Sequence, residues 1–343
     1  MWSAGRRRAD PTRAKTPRSG YNLAADRGFR AVAAPQLTGD PTQRWGPPFP
    51  LTPPMREITS ITEMRSWSRA ERARRHTIGF VPTMGYFHQG HLRLVERARE
   101  LADRVVVSIF VNPLQFGPHE DLARYPRDLP RDRQLAEARE VDCLFVPETA
   151  AMYPVEPLVR VVPGPVADTL EGMARPGHFT GVLTVVAKLF DIVEPDVAVF
   201  GRKDYQQAML VKRMVQDLDF GLTIDIAPTV RELDGLALSS RNTYLSPDER
   251  RSALVLSRAL RTLEQTWRGG EADPLKVQRA GLEAMHAPGV IPEYCALVDE
   301  NLQPVTRVTA HTVGVVAARV GKTRLLDNVV LGEGIGADPR VTP

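Results

Sequence analysis

The sequence predicts an α/β fold in which a Rossmann-like domain with a parallel sheet precedes a second, smaller α/β domain. Short apolar runs that suit buried strands alternate with stretches whose apolar residues recur at helical spacing, as in parallel α/β sheets. The run 104–111 is rich in β-branched residues, as expected of a strand that is buried on both faces. The alternation continues to about Val230 and then gives way to a polar stretch, which predicts a domain boundary there.

The elements of the first domain follow from local patterns taken in order. Ser60 and Glu63 form a Ser-x-x-Glu capping pattern, which predicts a helix from there to about Arg74. Beyond it, apolar runs predict strands, and apolar residues three or four positions apart predict helices. The resulting order is strand 77–81, helix 91–103, strand 104–111, helix 129–140, strand 142–146, helix 181–192, strand 196–200, helix 204–218 and strand 222–227.

The second domain begins with residues 231–242, which are polar and predict a loop. The capping pattern then recurs at Ser246 and Glu249, with proline at the first helical position, and predicts one long helix to about Trp267. After two glycines, the domain is completed by a helix over 274–285 and by two strands over 292–298 and 312–320.

Residues 1–54 predict a disordered extension rich in proline and arginine, since they hold nine prolines and no sustained apolar period. Residues 1–50 carry nine Arg or Lys against three Asp, while the formal net charge of the whole chain is only +4. The basic charge therefore belongs to the extension, which could bind nucleic acid or simply be solvated. The solvated form is favoured. The predicted organisation is 1–54, 55–229 and 230–343.

Several features predict the cellular environment. No apolar run approaches the roughly 20 residues of a membrane span, and the first residues lack the apolar segment of a secretory signal. Cys143 and Cys295 lie in strand-like apolar runs, and their spacing is not that of a metal site. We therefore expect free buried thiols in a reducing, cytoplasmic environment.

Two histidines, His88 and His91, lie in a His-x-Gly-His pattern between the strand 77–81 and the next helix. A helix start leaves backbone N–H groups free for a phosphate, and Gly90 lets the backbone approach a ligand closely. Imidazoles three positions apart share one face of the first turn, and each can donate a hydrogen bond. The strand–loop–helix context favours phosphate binding over the alternative, a pair of helix-capping histidines.

Two further motifs are basic or rich in hydroxyl groups. The strand 196–200 ends at the edge where ligands bind in open α/β sheets, and it is followed directly by Gly201-Arg202-Lys203-Asp204. The polar stretch beyond the domain boundary contains Leu238-Ser239-Ser240-Arg241. Each motif alone could be a solvated strand end or a polar linker. Together with the histidines they predict a triphosphate site, in which neutralised charge favours loss of pyrophosphate.

Neutral amides are placed to bind hydroxyl and carboxylate groups without adding charge. Asn112 and Gln115 follow the strand 104–111, while Gln206 and Gln207 follow the second motif. The polar loop 171–179 could be a binding loop or a surface loop. The absence of a Ser-His-Asp or Cys-His pattern favours direct transfer over a covalent enzyme intermediate.

From about Ile58 to Val330 the sequence resembles the pantothenate synthetase family, also called pantoate–β-alanine ligases. The resemblance rests on a series of strings in the family's order. They are Val81-Pro82-Thr83-Met84-Gly85, His88-x-Gly90-His91, Ser108-Ile109-Phe110-Val111-Asn112-Pro113-x-Gln115-Phe116, Asp121-Leu122-x-x-Tyr125-Pro126-Arg127, Arg175-Pro176-x-His178-Phe179-x-Gly181-Val182, Phe200-Gly201-x-Lys203-Asp204-x-Gln206-Gln207 and Asp234-Gly235-Leu236-Ala237-Leu238-Ser239-Ser240-Arg241-Asn242.

This resemblance implies a homodimeric, cytoplasmic, two-domain enzyme of the HIGH-motif nucleotidylyl-transferase superfamily. It implies that the carboxylate of pantoate attacks the α-phosphate of ATP, which gives pantoyl adenylate and pyrophosphate. The amine of β-alanine then attacks the acyl carbon and releases AMP. The implied partners are these small molecules, with Mg²⁺ accompanying ATP and with no membrane or nucleic acid.

The resemblance also implies roles for individual residues. His91 is the expected proton donor and His88 a phosphate contact, and with Lys203 and Arg241 they are the candidate catalytic residues. Gln115 and Gln207 are expected to bind pantoate, Gln115 also near β-alanine, and Asp132 matches a position that approaches the metal. The implied ATP site consists of Met84, Gly85, Tyr86, Phe87, His88, Gln89, Gly90, His91, Gly201, Arg202, Lys203, Asp204, Val230, Leu238, Ser239, Ser240 and Arg241.

The chain departs from the family pattern at Tyr86-Phe87, which are bulkier than usual, at Gln89 in place of an acid, and at Arg202, where Glu is common. These departures concern the packing of the ATP loop. Two alternative functions remain: another adenylyltransferase of the same superfamily, which would form no amide, and a nucleic-acid-binding protein that uses the basic extension. The strings around Gln115 and Gln207 argue against the first alternative.

Overall fold

The computed structural model describes residues 54–118 and 120–342. The predicted extension 1–54 lies outside these residues except for Pro54, so its disorder stays a prediction. The helices of the described part are α1 Ile61–Ala73, α2 Gln89–Leu101, α3 Leu129–Glu137, α4 Thr149–Met152, α5 Glu171–Ala174, α6 His178–Val193, α7 Tyr205–Asp217, α8 Pro247–Ala253, α9 Val255–Arg268 and α10 Pro274–Glu283. The strands are β1 Arg56–Ile58, β2 Ile78–Thr83, β3 Arg104–Ile109, β4 Cys143–Phe145, β5 Val197–Gly201, β6 Thr223–Ala227, β7 Arg231–Glu232, β8 Val290–Val298, β9 Val313–Val320, β10 Thr323–Val330 and β11 Arg340–Val341.

The larger sheet has six parallel strands in the order β1-β4-β3-β2-β5-β6. The chain first builds outward from β2 through β3 to β4, and then returns to place β5 on the other side of β2. The strand order therefore reverses between β2 and β5, and ligands of open α/β sheets bind at such a point, beyond the carboxyl ends of the strands. The Rossmann-like α/β fold is confirmed.

Strand β3 shows why these residues form a central strand. Val106 joins the core on one face of the sheet, while Val105 and Val107 join the core on the other face. The first face is covered by helices α1, α6 and α7, and the second by α2 and α3. Because both faces are buried, the strand needs a continuous apolar run, which is the pattern that its sequence has.

The smaller sheet is antiparallel, with strand order β10-β9-β8, and helices α9 and α10 pack on it. Leu256, Leu260 and Leu263, spaced at three and four positions on α9, are buried in its core. Strands β9 and β10 join through a tight hairpin in which Val320 pairs with Thr323. Gly321 has a φ of +56° there, which a glycine adopts without strain.

Before residue 230, strand β1 and the short helices α4 and α5 were not predicted, and α5 and the start of α6 lie in the predicted loop 171–179. Beyond residue 230 the structure corrects the sequence prediction in three places. The long helix predicted from Ser246 divides at Leu254 into α8 and α9, although Ser246 and Glu249 do form the predicted reciprocal capping box. The smaller sheet has three strands rather than two, since β10 was not predicted. The predicted loop 231–242 contains β7, which pairs with β11. The last strand of the larger sheet ends at Ala227, and a domain boundary near residue 230 stays a prediction.

Among the described residues, no helix is both long enough and apolar enough to cross a membrane. Cys143 and Cys295 are free and buried, as predicted. Burial raises the pKa of each thiol to about 12, so both thiols stay protonated at neutral pH and behave as small apolar groups.

Candidate active site

A cleft of about 540 Å³ lies beyond the carboxyl ends of β2 and β5, where the strand order reverses. It brings together most of the residues that the sequence predicted from separate motifs. Those that line it are Met84, His88, Gly90, His91, Gln115, Gly201, Lys203, Asp204, Gln207, Val230, Leu238, Ser239, Ser240 and Arg241. The predicted residues that do not line it are Gly85, Tyr86, Phe87, Gln89, Arg202 and Asp132.

Asp132 of α3 holds the loop between β2 and α2 in place through hydrogen bonds to its backbone. The two carboxylate oxygens of Asp132 accept the backbone N–H groups of Tyr86 and Phe87, each at 2.6 Å. Gly85 has a φ of +82°, and a Cβ there would lie 2.9 Å from Asp132 Oδ2, so a larger residue would disturb this contact. Asp132 thus fixes the loop, and its predicted approach to the metal stays a prediction.

The bulky residues of this loop have defined places outside the cleft. Phe87 is buried, and its ring centroid lies 5.7 Å from that of His91. The guanidinium of Arg131 lies over the ring of Tyr86 at 5.7 Å and donates to the carbonyl of Phe87 at 2.8 Å. Gln89 is exposed at the start of α2. The fold accommodates the departures in this loop without filling the cleft.

His88 and His91 cap the start of α2 through their Nδ1 atoms. His88 Nδ1 accepts the backbone N–H of Gly90 at 3.1 Å, and His91 Nδ1 accepts the backbone N–H of His88 at 3.3 Å. An Nδ1 atom that accepts a hydrogen bond carries no proton, so the neutral ring carries its hydrogen on Nε2. Helix capping and phosphate contact are therefore compatible, because they use opposite nitrogens of each ring.

Burial, with a smaller contribution from the nearby Lys203, lowers the pKa of His88 to about 2 and that of His91 to about 4. Asp204 acts on His91 in the opposite direction. Both rings are consequently neutral at physiological pH in the absence of a ligand, and they offer N–H donors rather than positive charge. The positive charge of the cleft comes instead from lysine and arginine side chains.

The turn Arg202–Asp204 after β5 provides one of these charges. Lys203 Nζ lies 3.6 Å from a carboxylate oxygen of its neighbour Asp204, and both residues line the cleft. Arg202 turns the other way and forms ion pairs with Glu333 and Asp338. The predicted contact of Arg202 with ATP stays a prediction, and the structure gives its side chain a different contact.

The third motif forms another part of the wall of the cleft. Leu238 N donates to the carbonyl of Val230 at 2.9 Å, and Ser239 Oγ accepts the backbone N–H of Arg241 at 3.3 Å. Arg241 Nη2 lies 3.4 Å from Asp121 Oδ1, a long contact that leaves other donors of the guanidinium free to bind a ligand.

The predicted amides differ in their surroundings. Gln115 is buried, with its Oε1 accepting from Asn112 Nδ2 at 3.2 Å and its Nε2 lying 3.1 Å from the sulfur of Met84. Gln207 lines the cleft and is half-buried. Gln206 also lines it, but its side chain bonds the backbone of Glu171, Val166 and Thr169.

Sequence reasoning missed a charged cluster that also lines the cleft. Glu171 accepts hydrogen bonds from Tyr294 Oη at 2.6 Å and from Arg324 Nη2 at 2.7 Å. Glu171 belongs to the polar loop that the sequence singled out, whereas Arg324 belongs to the strand β10 that was not predicted. Glu171 and Arg324 are 153 positions apart, so no local signal in the sequence connects them.

A second unpredicted cluster lies under Gln115. The backbone carbonyl of Gln115 accepts from His178 Nδ1 at 2.8 Å and from Arg175 Nη2 at 3.2 Å. Arg175 also forms an ion pair with Glu120. Both Arg175 and His178 appear in one of the family-like strings, but spacing alone did not indicate that they support Gln115.

Basic side chains and neutral imidazole donors share one cleft at the reversal point of a parallel sheet, which is typical of a nucleotide-binding enzyme of the Rossmann-like α/β class. Residues 56–330 match the family model described as pantoate-beta-alanine ligase. The chain belongs to the pantoate–β-alanine ligase family.

Relatives and solved structures agree with this assignment. The chain is 52% identical to the pantothenate synthetase of Heliobacterium modesticaldum over 279 residues, which are 81% of this chain and 99% of that protein. Its fold matches the crystal structure of pantothenate synthetase from Thermus thermophilus with a TM-score of 0.77, 49% identity, and coverage of 81% and 99% of the two chains. The pantoate-beta-alanine ligase of Francisella tularensis, solved with beta-gamma ATP and beta-alanine, matches with a TM-score of 0.69, 35% identity, and coverage of 82% and 99%.

Proposed function

We propose that this protein condenses pantoate with β-alanine in an ATP-dependent reaction that passes through pantoyl adenylate. The observation that carries the proposal is the convergence, in one cleft, of His88 and His91 with Lys203, Arg241 and Gln115. Family membership supports the overall reaction, and the Francisella tularensis relative supports ATP use. The roles of single residues are inferred from their geometry.

The triphosphate would lie between the start of α2 and the turn that carries Lys203. Free backbone N–H groups at the helix start and the Nε2–H groups of His88 and His91 would bind its oxygens without charge. Lys203 and Arg241 would supply the positive charge. Such donors, fixed before the reaction, stabilise the negative charge that grows on the leaving pyrophosphate.

Pantoate would be held beside the α-phosphate by neutral amides. Gln115 is fixed by Asn112 and by the contacts under its backbone, and Gln207 faces the same cleft. A rigid amide can orient the pantoate carboxylate so that one oxygen attacks the α-phosphorus as pyrophosphate leaves. The amine of β-alanine would then attack the acyl carbon, lose a proton and displace AMP.

Mg²⁺ would accompany the nucleotide rather than occupy a cage made by the protein. Among the described residues, no three His, Cys, Asp or Glu side chains group together as metal ligands. Mg²⁺ commonly binds through one or two carboxylates together with substrate phosphates, and Asp204 presents a half-exposed carboxylate in the cleft. When bound, the ion would neutralise phosphate charge.

The test is a reaction with purified protein, ATP, Mg²⁺, pantoate and β-alanine, in which pantothenate and AMP are measured together. We expect equal amounts of both products, and little AMP when β-alanine is omitted. Pyrophosphate release that needs pantoate but yields AMP equally well without β-alanine would favour an adenylyltransferase that forms no amide.

We also propose a homodimer in the cytoplasm, as the family resemblance implies. The free, buried thiols fit a reducing compartment. Light scattering coupled to size-exclusion chromatography should give twice the 38.0 kDa mass of one chain. Cell fractionation should recover the protein with the cytosolic fraction, and a monomer or a membrane-bound fraction would contradict these two proposals.

A further inference from the structure

One side chain of the smaller sheet holds the turn that carries Lys203. The Nδ2 atom of Asn328, on β10, donates to the backbone carbonyl of Arg202 at 2.9 Å and to that of Lys203 at 2.8 Å. Asn328 is buried, so these bonds are shielded from water. One amide group therefore fixes two consecutive peptide units of a turn that belongs to the other sheet.

The orientation of this amide is determined by its partners. An oxygen facing the two carbonyl oxygens would be repelled, so the nitrogen must face them. Asn328 Oδ1 is buried and has no hydrogen-bond partner among the described residues. A buried acceptor without a partner costs stability. The side chain thus provides hydrogen bonds to two carbonyl groups of the turn, while its own oxygen is left without a hydrogen bond.

A buried ion-pair network surrounds the same turn. Arg231 is fully buried and pairs with Asp327 at 2.6 Å and with Asp338 at 2.6 Å. Asp327 precedes Asn328 on β10, and Asp338 also pairs with Arg202 at 3.1 Å. The turn is therefore held twice, through its carbonyls by Asn328 and through the side chain of Arg202 by Asp338.

We propose that Asn328 is a positioning residue that aims Lys203 at the phosphates of the nucleotide. The proposal rests on the proposed function, because it assigns Lys203 to the phosphates. Asn328 lines the cleft, and in this role it acts through the backbone of the turn rather than by contact with the substrate. The two carbonyls fix the backbone on both sides of the Lys203 Cα, which sets the direction in which the side chain leaves the turn and enters the cleft. Neutral Asn suits this task better than a cation, since it adds no charge that would compete with Lys203 for phosphate.

The test is a double-mutant cycle that combines Asn328→Ala with Lys203→Ala. In single-turnover formation of pantoyl adenylate at low ATP concentration, we expect Asn328→Ala to lower the apparent second-order rate constant for ATP at least 10-fold when Lys203 is present. In the Lys203→Ala background the same substitution should change the rate less than 3-fold, because there is no side chain left to position. The KM for β-alanine, which acts in the second step, should stay within 2-fold.

Equal losses in both backgrounds would overturn the proposal, since a general loss of structure acts whether or not Lys203 is present. The exposed Asn301→Ala is the matched control and should leave every value unchanged. If Asn328→Ala does not fold, Asn328→Ser, with one hydroxyl donor, takes its place in the same cycle and is judged by the same criterion. Failure of the wild-type protein to form pantoyl adenylate would contradict the proposed function instead, so the two outcomes are distinct.

Discussion

Asp132 Oδ1 accepts the backbone N–H of Phe87 at 2.6 Å, which ties helix α3 to the loop that leads into the His-x-Gly-His motif. The other oxygen of Asp132 binds the next amide back, that of Tyr86. These are charge-assisted bonds to two consecutive N–H groups in a buried position, and they are stronger than bonds between neutral groups. Asp132 thereby places His88, the next residue after this loop, at the cleft.

We predict that Asp132→Asn lowers kcat/KM for ATP by about 10- to 100-fold and destabilises the protein by about 1–3 kcal/mol, because the amide can accept only one of the two bonds. Chemical denaturation and initial rates measure the two effects. Asp128→Ala is the matched control on the same helix, since it removes the α3 cap and should cost about 1 kcal/mol with little change in rate. If Asp132→Asn had normal activity, its role in fixing the loop would be disproved.

We predict that His91→Ala slows pantoyl adenylate formation by about 100-fold while pantoate affinity stays nearly constant, as expected when a donor to a transition state is lost. Single-turnover kinetics and calorimetry measure these quantities. His91→Gln, whose Nε2 can replace the donor of the ring, should recover part of the rate if the neutral Nε2–H is what matters. Gln and Ala variants that are equally slow would instead indicate proton transfer by His91, and an unchanged rate in both would remove it from the mechanism.

Gln115→Ala and Gln207→Ala should weaken pantoate binding and leave ATP binding nearly intact. Each substitution would leave a pantoate oxygen without its donor in a closed site, at a cost of about 1–3 kcal/mol, or roughly 5- to 150-fold in affinity. Calorimetric titration of each ligand separately measures this. Gln134→Ala on the exposed face of α3 is the control and should bind both ligands normally. Equal weakening of ATP and pantoate would count against the assigned roles.

Deletion of residues 1–54 should leave the melting temperature and kcat/KM for ATP nearly unchanged. The segment has little apolar area to offset the entropy cost of ordering it, and the family match begins at residue 56. Its basic charge could still attract ATP, but 0.1 M salt screens that effect beyond about 10 Å. Both proteins should be compared at low and at moderate salt. A tenfold loss that persists at moderate salt would show that the extension contributes to the working enzyme.

The sequence predicted five of the six strands of the larger sheet because their signals are local, whereas β1, with only three residues, was not predicted. The continuous apolar run of β3 and the cap of α1, where Ser60 Oγ accepts the N–H of Glu63, are both visible within a few residues. The histidine motif was also placed correctly at the start of α2. The motifs that follow different strands meet in one cleft because the carboxyl ends of parallel strands lie at the same edge of the sheet.

The unpredicted parts depend on contacts between distant positions. Strand β10 carries three polar residues, Arg324, Asp327 and Asn328, among its apolar ones. Their partners are distant in sequence: Glu171 for Arg324, Arg231 for Asp327, and the carbonyl of Lys203 for Asn328. The three polar residues interrupt the pattern that would otherwise indicate a strand. Likewise, no Gly or Pro marks the break at Leu254, so the sequence of α8 and α9 is that of one continuous helix.

The last prediction concerns the dependence of stability on pH, for which His178 is a suitable probe. Its Nδ1–H donates to the carbonyl of Gln115 at 2.8 Å, so its Nε2 must accept from Arg175 Nη1, which lies 3.0 Å away. The ring is therefore held in its neutral form. Burial and the adjacent Arg175 lower its pKa to about 4.

An unfolded histidine has a pKa of about 6.5, so between pH 6.5 and 4 the unfolded chain binds a proton that the folded chain does not. The free energy of unfolding should consequently be highest above pH 6.5 and fall as the pH decreases toward 4. In His178→Asn this contribution is absent, while the Asn amide can still donate to Gln115. We predict that the variant is less stable than wild type at pH 7.5, and that this difference in the free energy of unfolding shrinks by about 1–3 kcal/mol at pH 4.5.

Urea denaturation at intervals of half a pH unit measures the stability of both proteins as a function of pH. The exposed His311→Asn should run parallel to wild type, and a His178→Asn curve that was also parallel would show that His178 is not held neutral in the folded protein.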